Sequence, residues 1–345
     1  MKDFSVNQND QSKYDVIIIG AGPAGLECAR QLKYSKLSVL LVEKNKTIGP
    51  KICAGGLTHL TSGFGIPNAL TRSFPLHNLF IKDHKYEITL AHPLKTITRL
   101  ELGQYQLEKI VNSKNLTILT STVVSEIKDD RVITLDNKTF KYKYLVGADG
   151  ANSIVRKHLK LRSNFYNGLY YDIPKVTDDF VWFIDPKLLK TGYVWMFPHK
   201  HYTSIGVYYN PVLVSAKFAK EVLEKFIVDR DMIFSPKDIK GAQINYNYEG
   251  YKFNNIYLAG EAAGLVSRAT GEGISFALIS GKEIAKKILN PEHKMTELRK
   301  IIKIKRRQER MLKVLESFPI FHNIIFLRIS VILLKYKWFQ IYIGT

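Results

Sequence analysis

The feature that most constrains this chain is a glycine-rich turn at residues 20–25 (GAGPAG), between a strand pattern and a helix pattern. The preceding residues 15–19 (DVIII) form a β-branched run, which is typical of a buried parallel strand. Helix-compatible residues follow over 26–34, and a second apolar run at 38–42 ends in Glu43. This order predicts a βαβ unit with an acid at the end of its second strand.

The glycines of this turn have separate tasks in holding a dinucleotide. Gly20 permits the tight turn, Gly22 lets a pyrophosphate approach the backbone, and Gly25 lets the helix pack on the strand. The helix N-terminus presents free N–H groups and a partial positive charge to phosphates, and an acid after the second strand can accept hydrogen bonds from a ribose. The predicted nucleotide-binding residues are Gly20, Gly22, Pro23, Ala24, Gly25, Glu43 and Lys44.

The glycine-rich turn alone does not show whether the predicted ligand is FAD or NAD. Two later segments favour FAD. Residues 144–150 (YLVGADG) form an apolar strand that ends in Asp149 and a glycine, and residues 256–264 (IYLAGEAAG) form another that ends in Gly260 and Glu261. Ligands of doubly wound sheets bind beyond the carboxyl ends of the strands. Three strands that end in glycine-and-acid turns therefore predict one long ligand that spans several strand ends.

These residues resemble the para-hydroxybenzoate-hydroxylase-type flavoproteins, and within them the geranylgeranyl reductase family, over residues 14–290. Two more segments carry the resemblance. Residues 50–57 (PKICAGGL) resemble the family's K-x-C-x-G-G stretch, which lies over the flavin, and residues 193–198 (YVWMFP) resemble its Y-x-W-x-F-P segment in the substrate-domain sheet. The acid in GEAAG and the residues EGISFAL are most similar to the bacterial CbrA-like branch of the family.

The resemblance implies an FAD-dependent oxidoreductase and assigns roles outside the first turn. Asp149 would support the nucleotide loop, Arg99 would contact FAD, and Glu261, where the family usually has aspartate, would hold ribityl or ribose hydroxyls. Glycines 55 and 56 would let the backbone pass close to the ring, and a helix that begins near residues 271–274 would stabilise negative charge on the reduced ring. The FAD-binding residues predicted in this way are Lys51, Gly55, Gly56, Arg99, Asp149, Gly260, Glu261, Gly271, Gly273 and Ile274.

Several of these side chains have a second interpretation. Lys51 is either a counter-charge for flavin or phosphate or a surface lysine, and Arg99 is equally an ordinary capping or salt-bridging residue. Cys53, the one catalytic candidate, either tunes the flavin, contacts substrate or relays a proton, or is a small buried residue. His199 and His201 could donate protons near neutral pH, but a solvent-facing loop is the favoured interpretation.

Alternating aromatic and β-branched residues over 76–92 and 164–245 predict an antiparallel sheet. Such a sheet could roof the flavin with an aromatic wall for a bulky apolar substrate, although aromatic strands are more often plain core. The substrate contacts predicted on it are Tyr193, Trp195 and Phe197.

The expected fold class is α/β, with a Rossmann-like FAD-binding domain, an inserted antiparallel-sheet substrate domain and a helical C-terminus. The predicted bounds are residues 13–75, 93–163 and 246–290 for the FAD-binding domain, 76–92 and 164–245 for the substrate domain, and 291–345 for the basic helical region. No second G-x-G-x-x-G turn occurs in the sequence. NAD(P)H or another electron donor is therefore expected to dock transiently, and no metal site is predicted.

The C-terminal region carries much of the chain's net charge of +20. Residues 282–345 hold 15 Lys/Arg against 5 Asp/Glu, which is half of that excess. Cations mixed with apolar residues suit a helix at an anionic membrane surface, although a helical lid packed on the sheet is an equal alternative. Nucleic acid is not an expected partner. The polar residues 1–12 predict a frayed tail rather than a signal peptide, and two cysteines suggest an intracellular chain. The expected location is cytoplasmic, either free or peripheral at the inner face of the membrane.

Three functions follow from these patterns. The first is reduction of carbon–carbon double bonds in an isoprenoid or lipid-like substrate, as the resemblance implies. The second is an FAD-dependent aromatic monooxygenase or halogenase, because the fold does not fix the reaction. The third is a non-catalytic, membrane-associated flavoprotein.

Overall fold

The computed structural model describes residues 12–317 and 320–343, and within them the chain forms two eight-stranded sheets. Apart from Ser12, the predicted frayed tail lies outside the described residues. In chain order the strands are β1 (Lys13–Ile19), β2 (Val39–Val42), β3 (Gly56–Leu57), β4 (Arg72–Ile81), β5 (His84–Thr96), β6 (Leu116–Leu119), β7 (Val124–Ile127), β8 (Arg131–Thr134), β9 (Thr139–Gly147), β10 (Phe165–Ile173), β11 (Val181–Ile184), β12 (Tyr193–Pro198), β13 (Thr203–Tyr209), β14 (Lys240–Asn245), β15 (Lys252–Phe253) and β16 (Ile256–Leu258).

The helices cover both sheets and form most of the C-terminal region. They are α1 (Pro23–Leu32), α2 (Arg99–Glu108), α3 (Ile154–His158), α4 (Pro186–Leu189), α5 (Ala216–Val228), α6 (Ile274–Leu289), α7 (Thr296–Ser317), α8 (Ile320–Leu334) and α9 (Lys337–Ile343).

The first sheet is built around five parallel strands in the order β16-β9-β1-β2-β6. Ile17 of β1 stands between Leu40 of β2 and Leu145 of β9, and all three side chains are buried. Apolar residues on both faces are what a parallel sheet covered by helices requires. Helices α1 and α6 pack against each other closely, because Gly281 of α6 leaves room for the Ala24 carbonyl of α1.

The second sheet has the order β14-β10-β13-β12-β11-β4-β5-β3. Its pairs are antiparallel except β4 with β11, where Leu79 lies beside Trp182 in a parallel register. Side chains alternate between its faces. Val194 and Met196 of β12 pack in a core with α5, and the aromatic residues of the same strand form a separate cluster on the other face.

These two sheets and the helical C-terminal segment match the predicted fold class, an α/β chain with a Rossmann-like parallel sheet. The strands of the second sheet reach beyond the predicted segment 76–92, because β4 begins at Arg72, β5 ends at Thr96, and β3 adds residues 56 and 57. The division of the chain into domains stays a prediction.

Candidate functional site

The turns after β1, β2, β9 and β16 lie along one edge of the first sheet, because these four strands are parallel neighbours. They are called the strand-end turns below. Gly20, which follows β1, has a φ of +100°, a conformation that L side chains rarely adopt. An added Cβ at this position would lie 2.5 Å from the Ala148 carbonyl oxygen. The turns after β1 and β9 therefore touch through their backbones.

The start of α1 combines a crowded position with an open one. A Cβ added at Gly25 would overlap the carbonyl oxygen of Gly20, whereas one added at Gly22 would meet nothing within 4 Å. Gly22 is the N-cap residue, and Pro23 is the first residue of the helix. No side chain caps this end within the described part of the chain, so the first N–H groups of α1 are left for another acceptor. Ala24 is buried against α6.

Glu43 closes the turn after β2. Its carboxylate accepts from the Ala21 N–H at 2.8 Å and from the Asn45 N–H at 2.9 Å. Each carboxylate oxygen can accept a further hydrogen bond, so the group can serve the loop and a ribose hydroxyl together. Lys44 is exposed beside it.

Asp149 and Arg99 each hold a buried polar atom with no partner among the described residues, Oδ1 of the aspartate and Nε of the arginine. The other Asp149 oxygen accepts from the Ile154 N–H at 2.7 Å, at the start of α3. Burial raises the pKa of this carboxyl. Arg99 begins α2 just after Thr98, which forms a capping box with Glu101. Since buried polar groups are normally hydrogen-bonded, Asp149 Oδ1 marks a place for a ligand donor and Arg99 Nε a place for a ligand acceptor.

Glu261, in the turn after β16, pairs with Lys51 from the loop that precedes β3. The Lys51 ammonium lies 2.5 Å from one carboxylate oxygen, and the Asn245 N–H donates to the other at 3.1 Å. Lys51 is half exposed, whereas Glu261 is largely buried. A Cβ at Gly150 would lie 3.6 Å from the Lys51 ammonium, so this pair adjoins the turn after β9. Gly260 packs between α1 and α6.

The segment 53–57 connects this edge to the second sheet. Gly55 has a φ of +73°, and a Cβ there would overlap the Ile97 carbonyl oxygen. Gly56 lies against the Phe197 ring. The Cys53 sulfur accepts a hydrogen bond from the Gly55 N–H at 3.4 Å. The backbone of Cys53 lies beside the Tyr170 hydroxyl, and burial raises the pKa of Tyr170 to about 12.

The expectation of a solvent-facing loop is wrong for His199 and fits His201. His199 is buried, its Nε2 lies 3.0 Å from the Ala54 carbonyl oxygen, and its ring stacks on Tyr202. Burial lowers the pKa of His199, which keeps the ring neutral. Its position in a turn after Phe197-Pro198 gave no sign that the loop at residues 53–57 would cover it. His201 is exposed.

The loop before α6 meets the second sheet at Tyr193. The Tyr193 hydroxyl donates to the Thr270 carbonyl oxygen at 2.6 Å, and a Cβ at Gly271 would lie 3.0 Å from that hydroxyl. Gly273 caps α6, and Ile274 begins it as a buried residue. This edge of the sheet is thereby fixed to the loop.

Sequence reasoning did not single out Glu272, although it lies within the segment 270–274. Its carboxylate accepts from the Thr58 hydroxyl at 2.6 Å and from the Ser275 hydroxyl. Burial raises the pKa of Glu272. Thr58 directly follows the segment 50–57, so the adjacency of two recognised motifs was the available signal. The hydrogen bond between Thr58 and Glu272 joins the loop before α6 to the residue that follows β3.

Trp195 and Phe197 lie in an aromatic cluster on one face of the second sheet. Phe197 stacks on Phe180 with ring centroids 4.1 Å apart, and the Trp195 indole N–H donates to Ser204. Both side chains are buried. The structure therefore places these two residues in a packed wall with Ala54 at its edge, whereas the Cys53 side chain packs against the neighbouring cluster around Leu57 and Ile97.

The strand-end turns fit FAD. They offer an open helix N-terminus at Gly22 for a pyrophosphate and carboxylates at residues 43, 149 and 261 for hydroxyl groups. The unpartnered Nε of Arg99 adds a donor. Such a row of groups along one sheet edge suits an extended dinucleotide.

Comparisons with known proteins agree with this geometry. The family model for pyridine nucleotide-disulphide oxidoreductases matches residues 14–155. An uncharacterized protein of Methanosarcina barkeri is 32% identical over 288 residues, which are 78% of this chain and 73% of that protein. A digeranylgeranylglycerophospholipid reductase of Methanococcus vannielii is 26% identical over 81% of this chain and 78% of its own length. This chain belongs to the geranylgeranyl reductase family of FAD-dependent oxidoreductases.

A solved structure supports the fold of this family member. A geranylgeranyl bacteriochlorophyll reductase-like protein from Thermoplasma acidophilum superposes with a TM-score of 0.76 at 18% identity, over 97% of this chain and 92% of the other. A probable FAD-dependent monooxygenase from Pseudomonas aeruginosa also shares the fold, with a TM-score of 0.67 at 17% identity over 96% of this chain and 100% of the other.

The chain is therefore an enzyme of geranylgeranyl reductase type, and its cofactor is FAD. The FAD contacts of individual residues, and the placement in the CbrA-like branch, stay predictions.

Proposed function

We propose that this enzyme reduces carbon–carbon double bonds of an isoprenoid or lipid-like substrate. The observation that carries this proposal is an apolar cavity between the second sheet and the C-terminal helices. Its volume is about 180 Å³, and it is partly open to solvent. The apolar residues around it include Ile184, Met311, Leu312, Leu315 and Leu327.

The cavity reaches the loop that carries predicted FAD residues. Tyr193, Ala269 and Thr270 line its inner end, and Thr270 precedes Gly271. Because the cavity is open at one side and lined mostly by hydrophobic side chains, it suits part of an apolar chain whose remainder extends outside it. A long hydrocarbon chain in this cavity would have one end beside Tyr193 and the other near α8.

We assign the predicted FAD-binding residues to distinct parts of the cofactor. Gly22, Pro23 and the α1 N-terminus would bind the pyrophosphate, Glu43 and Lys44 would lie at the adenosine ribose, and Asp149 and Glu261 would hold hydroxyl groups. When bound and reduced, FAD supplies the hydride or electrons for saturating a double bond.

The remaining chemistry falls to residues at the edge of the aromatic wall. Cys53 begins the segment 53–57, and its backbone contacts Tyr170 of this wall, so we propose that it contacts the reacting part of a substrate or relays a proton. The neutral ring of His199 holds the carbonyl of Ala54 and so fixes the loop that carries Cys53. The electron donor is proposed to be NAD(P)H or another carrier that docks transiently.

An anaerobic turnover assay tests the proposal. The purified enzyme is supplied with dithionite or NAD(P)H and a digeranylgeranylglycerophospholipid, and the lipid is analysed by mass spectrometry. The expected product gains two hydrogens for each double bond reduced, without oxygen in the flask. A product that contains oxygen or halogen and forms only in air would establish the monooxygenase or halogenase alternative, and no turnover on any prenyl lipid would also refute the proposal.

A matched pair of variants tests the cavity. Met311→Trp places a large ring in the cavity, whereas Val314→Trp adds the same ring at an exposed position of α7. We expect Met311→Trp to lower turnover about tenfold or more while the FAD content stays at the wild-type level, since the lost space costs substrate binding. Val314→Trp should behave as wild type. Equal turnover of the two variants would exclude the cavity as the substrate site.

A further inference from the structure

Helix α8 has two apolar faces, and only one of them is covered. Leu327, Val331 and Leu334 pack against the apolar side chains of β4 and β5. On the other side Ile325, Ile329 and Ile332 are 44%, 51% and 54% exposed. A helix that is apolar all round belongs in a core or at an apolar phase, so the outer side requires a partner.

Helix α9 extends this exposed surface and is held firmly in place. The Gln340 side chain accepts from the Ala91 N–H at 2.6 Å and donates to the Thr89 carbonyl at 3.0 Å, and Phe339 is buried. Trp338 is 61% exposed, and Ile341 and Tyr342 are further exposed apolar or aromatic side chains of α9. The anchored residues of α9 thus present an aromatic and aliphatic surface outward. We call the exposed set Ile325, Ile329, Ile332, Tyr336, Trp338, Ile341 and Tyr342 the outer face.

Cations accompany the outer face. Arg328, Lys335 and Lys337 are exposed on or between the two helices. No aspartate or glutamate follows Glu316 in the sequence. Exposed cations on α7 add to this charge, namely Arg299, Lys300, Lys303, Arg306, Arg310 and Lys313. A mixture of exposed apolar and cationic groups is the chemistry of an anionic lipid surface.

Among the helices that the structure describes, none is long and apolar enough to cross a membrane. A helix with aromatic and cationic residues of this kind can instead lie in the plane of the interface, where tryptophan and tyrosine are favoured.

We propose that the outer face of α8 and α9 docks this enzyme on an anionic lipid bilayer. The docking itself does not depend on the reaction that the enzyme catalyses. One consequence does rest on the proposed function: Leu327 and Ser330 of α8 also line the apolar cavity. Docking would therefore place the cavity on the far side of α8, one helix diameter (~10 Å) from the bilayer, so a long-chain substrate would have a short path to it.

Sedimentation with vesicles tests the docking. The holoenzyme is mixed with vesicles of phosphatidylglycerol and phosphatidylcholine, or of phosphatidylcholine alone, at low and high salt. We expect binding to the anionic vesicles that falls several-fold at high salt, because screening weakens the attraction of the cations. Absence of binding to anionic vesicles at low salt would overturn the proposal.

Two variant pairs separate the apolar and ionic contributions. The double variant Ile329→Gln/Trp338→Gln removes apolar area from the outer face, and Ile233→Gln is its control at a position that is 87% exposed in the second-sheet region. Lys335→Glu/Lys337→Glu reverses the charge, and Lys217→Glu on α5 is its control. We expect each double variant to weaken vesicle binding about tenfold or more and each control to bind as wild type. Unchanged binding by both double variants would overturn the proposal.

A second copy of the chain is the competing occupant of the outer face. Light scattering on the holoenzyme without lipid decides between them. A dimer that Ile329→Gln/Trp338→Gln converts to monomer would overturn the proposal, whereas an unchanged mass supports it. The FAD content of each variant, read from its visible spectrum, shows whether the enzyme is intact, so a failure of docking is distinguishable from a failure of the proposed reaction.

Discussion

Close packing determines both the strand-end turns and the C-terminal helices, but only at the strand-end turns can its effect be recognised in the sequence. At the strand-end turns the backbone itself sets the requirement, because no side chain fits where Gly25 meets the Gly20 carbonyl. In α8 the same isoleucines and leucines serve on the covered side and on the exposed one. Backbone requirements restrict residue identity and can be recognised from a motif, whereas the choice of buried face depends on distant partners.

Lys305 offers the strongest test of whether the C-terminal helices are an independent appendage. Its buried ammonium donates to the carbonyls of Tyr246 and Val266, both at 2.8 Å, and pairs with Glu309. Lys305→Met leaves these acceptors unpaired, and we expect it to lower the free energy of unfolding by about 3–5 kcal/mol. Lys303→Met, at an exposed position of the same helix, should change it by roughly 0.5 kcal/mol or less. Chemical denaturation measures both, and equal values would mean that α7 is only loosely attached.

Gly22 and Gly25 provide the corresponding test at the strand-end turns. Gly25→Ala introduces a backbone clash, which should cost about 3 kcal/mol of stability. Gly22→Ala has free space around the new methyl group, so its thermal unfolding midpoint without FAD should match that of wild type. The new methyl group would nevertheless obstruct the approach of a pyrophosphate and weaken FAD binding. Wild-type FAD affinity in a folded Gly22→Ala variant would contradict the proposed position of the pyrophosphate.

The burial of His77 in the second sheet, on which α8 packs, predicts how stability depends on pH. His77 lies on β4 at the same alternation as Leu79 and Ile81, and burial lowers its pKa to about 4 from an ordinary value of 6.5. The unfolded chain takes up a proton below pH 6.5, whereas the native state does so only near pH 4. This contribution to stability is therefore complete above pH 6.5 and is lost as the pH falls, by about 2 kcal/mol at pH 5.

Denaturation curves at pH 7 and pH 5 check this sign. His77→Leu should remove that part of the acid dependence, and His201→Leu, at an exposed position, should leave it intact. A wild-type pH dependence in His77→Leu would show that His77 is not the group responsible.

Glu43→Gln is expected to have the smallest effect of these changes. Glutamine keeps one acceptor oxygen for the two N–H groups of Ala21 and Asn45 and removes the negative charge where we propose that a ribose hydroxyl binds. We expect the dissociation constant of FAD to rise about tenfold, which is roughly 1.4 kcal/mol. Fluorescence titration measures it, with Glu126→Gln as an exposed control. No change would place the adenosine ribose elsewhere.

The sequence predicted the elements around the strand-end turns closely. The helix predicted to begin near residues 271–274 is α6, Ile274–Leu289, and the run at 38–42 contains β2. The glycine-and-acid turns were recognisable because each depends on residues that are adjacent in the chain. The family, the fold class and FAD as cofactor are confirmed by the comparisons.

Contacts between distant segments were beyond the reach of the sequence. The burial of His199 depends on the loop at residues 53–57, and Lys305 finds its acceptors 39 and 59 residues away in the chain. Fully buried lysines are rare, so the basic pattern of α7 gave no reason to select this one. For the same reason, the two faces of α8 became distinct only when the second sheet was in place.

The claim on which the account depends is that the strand-end turns hold FAD. The most direct measurement is the visible spectrum of the protein purified from flavin-replete cells, together with mass spectrometry of the flavin released on denaturation. We predict a yellow protein that releases about one FAD per chain, as expected for a single dinucleotide-binding fold. A colourless protein that does not take up added FAD would contradict the account.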